Sequence, residues 1–235
     1  MQKVMFPFWV EASGQQKLNA ALLGSVKEAL GGAGVERLRI NVPDAAVAEG
    51  QKLYPEMAGA DRPAALVSFF INTAREIAPY LKILDAAGAR YAGYEVMEST
   101  PLPHRDPANG ERSRGFTQLA FFSRLPGQSR DDFLRIWLES HTKVAIETQS
   151  TFFYQQNPIV RALTADAPAW DAIVEESFPD EAMRDWHVYF ASGGSDEKLA
   201  AHQKQMNESC VRFIDFTGIK LLISSEYRIG AWRDL

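Results

Sequence analysis

Cysteine is almost missing from this chain. Cys210 stands alone among 235 residues, so no disulfide framework supports the fold, and a lone thiol fits a reducing compartment. Metal-binding spacings are missing too: there is no Cys-x-x-Cys, no His-Glu-x-x-His and no acidic calcium loop, so no metal is expected. Gly-x-Ser-x-Gly and Gly-x-Gly-x-x-Gly are absent, which removes the hydrolase elbow and the dinucleotide fingerprint. No apolar run approaches the roughly 20 residues of a membrane span. The run Val4 to Val10 is short for a signal peptide, so the expected location is cytoplasmic, with no membrane partner. Basic excess is lacking as well, with 25 basic against 30 acidic residues. The densest basic cluster, Arg105, Arg112 and Arg114, is interrupted by Asp106 and Glu111, so nucleic acid is not an expected partner.

What is present is ordinary globular composition, 46% hydrophobic and 23% charged. Its order repeats. In the first half, Val4 to Val10 reads as a strand. Leu18, Leu22, Val26 and Leu30 then mark one face of a helix that Gly31 to Gly34 ends. Strands follow at 35–42 and 65–71. Next come a helix over 74–87, with Pro79 resetting its start, and a strand at 91–97. The second half repeats the pattern. A strand at 116–123 leads to Ser129, which caps a helix running to about 149. Strands at 152–156 and 172–178, helices near 180–190 and 196–213, and a strand at 219–227 complete it. Each half reads βαββαβ, the ferredoxin-like motif. Residues 1–98 form the first half, 99–114 a proline-bearing linker and 115–235 the second half. Helices cover one face of each sheet, and the bare faces must find partners. The prediction is an α+β fold, two ferredoxin-like halves packed sheet to sheet.

From Ser129 to Ala145 the segment SRDDFLRIWLESHTKVA resembles the helix signature of EthD-like proteins, a family of the dimeric α+β barrel superfamily. Phe153–Asn157, Asp171–Phe178, Phe213 with Asp215, and Glu226 resemble further family motifs in the same order. Ala172 and Ser177 depart from residues common in the family. The first half shares the element order without the motifs: Leu22 falls near the position of Trp137, and Val26 near that of His141. The resemblance implies an intramolecular barrel, with the first half a degenerate copy. It leaves open whether two chains associate further.

Phe133, Trp137, His141 and Val144 share one helix face. That placement suits a core histidine or an inward-facing base. The resemblance favours a cofactor-independent enzyme acting by proton transfer on a small apolar or aromatic ligand. His141 would be the base and Glu175 its orienting or acidic partner. Tyr154 and Asn157 would bind a substrate oxygen, and Trp137, Phe153 and Phe121 would form aromatic walls. The alternative is a non-catalytic accessory or ligand-binding protein of the EthD type. Haem, which other members of the superfamily bind, is a further alternative with His187 and His202 as the remaining helical histidines. A barrel filled with side chains would favour the accessory role. An open pocket at His141 with Glu175 in reach would favour the enzyme.

Overall fold

A computed structural model describes residues 1–54, 61–105 and 108–230. Apolar alternation and helical periodicity produce the elements close to where the sequence places them. The first half contains β1 (Gln2–Trp9), β2 (Glu36–Val42), β3 (Ala65–Ile71), β4 (Arg90–Tyr91) and β5 (Tyr94–Val96). Helix α1 spans 15–32, and α2 is Ala78–Asp85 with proline in its first turn. The stretch read as a linker opens with a short strand, β6 (Ser99–Leu102), which pairs with β8. The second half contains β7 (Phe116–Phe122), helix α3 over 130–148, β8 (Phe153–Ala162), β9 (Ala172–Phe178), α4 (Trp186–Tyr189), α5 (Asp196–Cys210) and β10 (Lys220–Ile229). Ser129 caps α3 by accepting the Asp132 N–H, as its sequence position predicts. Among the described residues, no helix is long and apolar enough to cross a membrane.

The strand circuit runs β5–β1–β3–β2–β10–β7–β9–β8 and returns to β5. Each half supplies four strands in the ferredoxin-like order. The halves do more than lie face to face. Hydrogen bonding across β2–β10 and β5–β8 joins their edges, so eight strands close an antiparallel barrel with no open edge in the circuit. Strand alternation divides every strand between two environments. On the outer face, Val4, Phe6, Phe8, Val67 and Phe69 pack under α1 and α2. Ala120, Phe122, Tyr154 and Val174 pack under α3 and α5.

The inner face fills the barrel with side chains. One end is apolar, with Met5, Leu66, Phe121, Ile173 and Leu222. The other end is charged. The first half supplies the cations Lys3 and Arg39, and the second half supplies the anions Glu175 and Glu226. Lys3 Nζ lies 3.1 Å from Glu175 Oε1, and Arg39 lies 2.5 Å from Glu175 Oε2 and 3.0 Å from Glu226 Oε1. These four side chains are at most 3% exposed. Lys3 also donates to Gln155 and Asn157, and Arg39 stacks on Phe153. Burial works against the charged form of Glu226. The charges of Arg39 and His104 overcome that, holding its carboxyl at about 2. Glu175 is also held below the usual range, with Arg39 and Lys3 outweighing burial.

Removing one partner strands the others. Arg39→Leu is expected to lower stability by about 3–5 kcal/mol in chemical denaturation at pH 7. The loss should shrink near pH 4, where the stranded carboxyls can protonate. For Glu226 the folded value of about 2 lies below the ordinary 4.5. Its contribution is therefore complete above about 5 and is lost as pH falls toward 2. Wild-type stability that stays flat over that window would contradict this account.

Candidate active site

The cavity beside His141 lies outside the barrel wall, between the outer face of β7, β9 and β8 and the helices above. Its volume is about 150 Å³. The sheet contributes Gln118, Tyr154 and Glu176, and α3 contributes Trp137 and His141. Phe216, 41% exposed, also lines it, so the cavity reaches the surface there. Tyr54 brings a first-half side chain to the wall of this second-half cavity.

The two faces of the sheet separate the residues that the sequence groups together. His141, Trp137 and Tyr154 meet at the cavity. Glu175, Asn157, Phe153 and Phe121 do not line it. Glu175 faces inward to Lys3 and Arg39, so it is not the partner of His141. Asn157 donates to the Ile173 carbonyl and to Glu175, and accepts from Lys3. Phe153 lies under Arg39 and beside the His104 ring, and Phe121 packs on Trp170. His187 bonds Ser192 and approaches Asp196, and His202 is bonded at the Phe190 carbonyl. Neither lines the cavity. The filled barrel and the pocket at His141 therefore coexist, on opposite sides of one sheet.

The carboxyl that does enter the cavity is Glu176, the next residue along β9. Register pairs it with Gln118 on β7 and with Tyr154 on β8. Gln118 Nε2 donates to Glu176 Oε2 at 3.4 Å, and Gln118 Oε1 accepts from Tyr189 at 3.1 Å. Among the described residues no cation pairs with Glu176. Burial raises its carboxyl to about 7, and the Gln118 bond only partly offsets that. A carboxyl poised near neutrality in an apolar recess has the properties of an acid–base group.

His141 is tuned the other way. Burial, then the Arg212 charge, lower its ring to about 4, so it is neutral near pH 7. Its Nδ1 is 2.9 Å from Ser209 Oγ, and its ring lies 4.8 Å from that of Phe213. It closes a π-helical segment, Arg135–His141, inside α3. Such segments leave carbonyls without their usual i+4 partners. Here Thr142 and Gln156 donate to the Trp137 carbonyl. Cys210 also lines the cavity, but burial pushes its thiol to about 12, which leaves it protonated and unreactive. Among the described residues, no group of three or more His, Cys, Asp or Glu side chains is placed to hold a metal.

Sequence reasoning missed Glu176, Gln118, Tyr189 and Tyr54. Strand alternation puts Glu176 in phase with Ala172 and Val174 and Glu175 with Ile173 and Ser177, but with all of β9 buried it does not say which set faces the cavity.

A closed antiparallel barrel with outer helices and a cavity between sheet and helix defines the dimeric α+β barrel fold, here with both sheets in one chain. Within that fold, residues 125–217 match the EthD domain. An anthrone oxidase-like protein is similar at 11% identity and TM-score 0.57, covering 97% of this chain and 91% of that one. A candidate monooxygenase from Fusobacterium nucleatum subsp. nucleatum is 11% identical at TM-score 0.50, covering 97% and 92%. A candidate chlorite dismutase is 10% identical at TM-score 0.50, covering 97% and 94%. At these identities the likeness is one of fold. No curated protein matches the sequence.

Glu176 also sets a stability trade. Its folded value of about 7 lies above the ordinary 4.5. Stability from the neutral carboxyl is complete below about 4.5 and is lost as pH rises through 7. At ~1.4 kcal/mol per pKa unit the loss is roughly 3 kcal/mol. Glu176→Gln should therefore be more stable than wild type at pH 8 and equal to it near pH 4 in paired urea titrations. A variant no more stable at pH 8 would refute the assignment.

Proposed function

We propose that the chain is a cofactor-independent enzyme that moves a proton on a small apolar or aromatic ligand held in the cavity beside His141. The observation that carries this proposal is Glu176, a buried carboxyl without a cation partner among the described residues, raised to about 7 in a largely apolar recess. Glu176 takes the role of acid–base group that the sequence suggested for His141 with Glu175. A base at about 4 is half-protonated only near pH 4 and drives proton removal weakly at neutral pH. Neutral His141, fixed by Ser209, instead offers its second ring nitrogen to the ligand as a polar contact. Trp137 supplies an aromatic wall and Tyr154 a hydroxyl.

The recess suits one aromatic ring or a body of that size. A cavity of about 150 Å³ is comparable to one known to take benzene. A haem macrocycle is far larger, so haem is not part of this proposal, and purified protein should show no Soret band. The similar structures, an anthrone oxidase-like protein and a candidate monooxygenase among them, agree with small-molecule chemistry.

Native mass spectrometry of the purified chain should reveal a co-purifying small metabolite. With that compound, kcat/KM should rise with pH to a plateau, with an apparent pKa near 7. Glu176→Gln should lower kcat by about 10²–10⁴-fold, the usual contribution of a positioned acid–base group, with KM changed only a few-fold. A pH-independent rate, or a Glu176→Gln enzyme of full activity, would rule out the assignment.

A further inference from the structure

We infer that Tyr154 is an obligate hydrogen-bond donor to a ligand oxygen, and that with Glu176 beside it the cavity accepts enolisable ketones. This inference rests on the proton-transfer function proposed above and names its substrate class.

The constraint is the hydrogen-bond inventory of one phenol. A Tyr oxygen has two acceptor lone pairs and one proton to donate. Trp137 Nε1, which can only donate, lies 3.3 Å from the Tyr154 oxygen. Gln156 Nε2 lies 3.3 Å from the same oxygen. The direction of the Gln156 amide is fixed by its other contacts. Its Nε2 faces the Trp137 carbonyl, which can only accept, and its Oε1 accepts from Ser99. Gln156 Nε2 has two hydrogens, and Thr142 Oγ1 takes one of them at 2.9 Å, so the Trp137 indole is the donor assured to the Tyr154 oxygen. Both neighbours can only donate to the phenol, and neither can accept from it. The Tyr154 O–H has no acceptor among the described residues, although the residue is 1% exposed and lines the cavity. A buried donor left unsatisfied is costly, so a ligand oxygen that accepts from it is favoured. The indole donor into the phenol oxygen also makes the O–H a stronger donor.

Register then fixes the geometry of the pair. Tyr154 and Glu176 are direct cross-strand partners on the cavity face of β8 and β9, where directly opposed side chains stand close together. A donor and a carboxylate side by side match a ligand whose acidic C–H is one bond from a carbonyl carbon. The Glu176 carboxylate takes the proton from that carbon. The C–H electron pair becomes the C=C bond, and the carbonyl π pair moves to the oxygen, which the Tyr154 O–H holds. Return of the proton from Glu176 to carbon restores the ketone, so the cycle balances without an oxidant or reductant. No lysine or arginine is among the described residues lining the cavity. A ligand that is already a full anion is disfavoured there, whereas charge that develops transiently beside Tyr154 is accommodated.

The probes are phenylacetone, a one-ring ketone with acidic CH₂ protons, and propylbenzene, its oxygen-free counterpart. In D₂O, wild type should accelerate deuterium uptake at the phenylacetone CH₂ group, followed by NMR. Tyr154→Phe should slow that uptake by about 100-fold, the usual loss for one donor to a developing oxyanion, while binding propylbenzene as wild type does. Glu176→Gln should give no acceleration. Uptake at the wild-type rate in Tyr154→Phe would overturn the inference, and so would phenylacetone binding without accelerated uptake. Either result leaves an apolar ligand cavity standing. Failure of both probes to bind would remove the ligand cavity as well. Should Tyr154→Phe not fold, 3-fluorotyrosine placed at 154 retains the packing with a more acidic hydroxyl. Uptake should then be faster than wild type, and an unchanged rate would overturn the inference.

Discussion

A network of buried charges inside the barrel determines how this protein is arranged. Lys3 and Arg39 come from the first half, and Glu175 and Glu226 from the second. Lys3 also pairs with Glu98, and Glu226 with Arg228, within their own halves. But Glu175 draws both of its cations from the other half, and an isolated buried ion costs far more than a paired one. The halves therefore have to meet with these residues in register. The hydrogen-bonded seams β2–β10 and β5–β8 hold that register. Ion pairing consumes the inner face of β9, and the same strand's outer face is left to carry Glu176. Packing and chemistry are thus separated by the thickness of one sheet.

Much of the architecture was legible because it depends on local patterns. The bounds of β3 follow from a dense apolar run, the start of α3 from Ser129, and the break before α2 from Pro79. His141 and Trp137 were legible as sharing one inward helix face because helical periodicity fixes it, while their place at a cavity was implied by the resemblance alone. Glu175 and Glu176 were not distinguishable in that way. Both faces of this sheet are covered, so all seven residues of β9 are buried and no exposed face anchors the parity. Asn157, Phe153 and Phe121 fell on the wrong side for the same reason. The contributions of Tyr54 and Tyr189 depend on long-range folding of loops and short helices, which no periodicity encodes.

The environments of the acidic residues differ in how their burial is offset. Burial disfavours ionisation at Glu175, Glu226 and Glu176 alike. The first two have cations at contact distance and are held low. Glu176 has an amide and two phenols nearby, and it is held high. The unfavourable ionisation of Glu176 is the kind of local cost that active sites carry when the surrounding fold can sustain it.

The fate of Leu22 and Val26 has a consequence for symmetry. They occupy the first-half helix where the second half has Trp137 and His141, and both are fully buried in a continuous apolar core. A barrel assembled from two identical chains must carry two copies of everything it builds, including any recess under its helices. Covalent fusion lifts that requirement. One half can become solid and supply countercharge to the interior and Tyr54 to its neighbour's wall, while the other half keeps a hollow. Substitutions in either half can then be selected without being mirrored in the other.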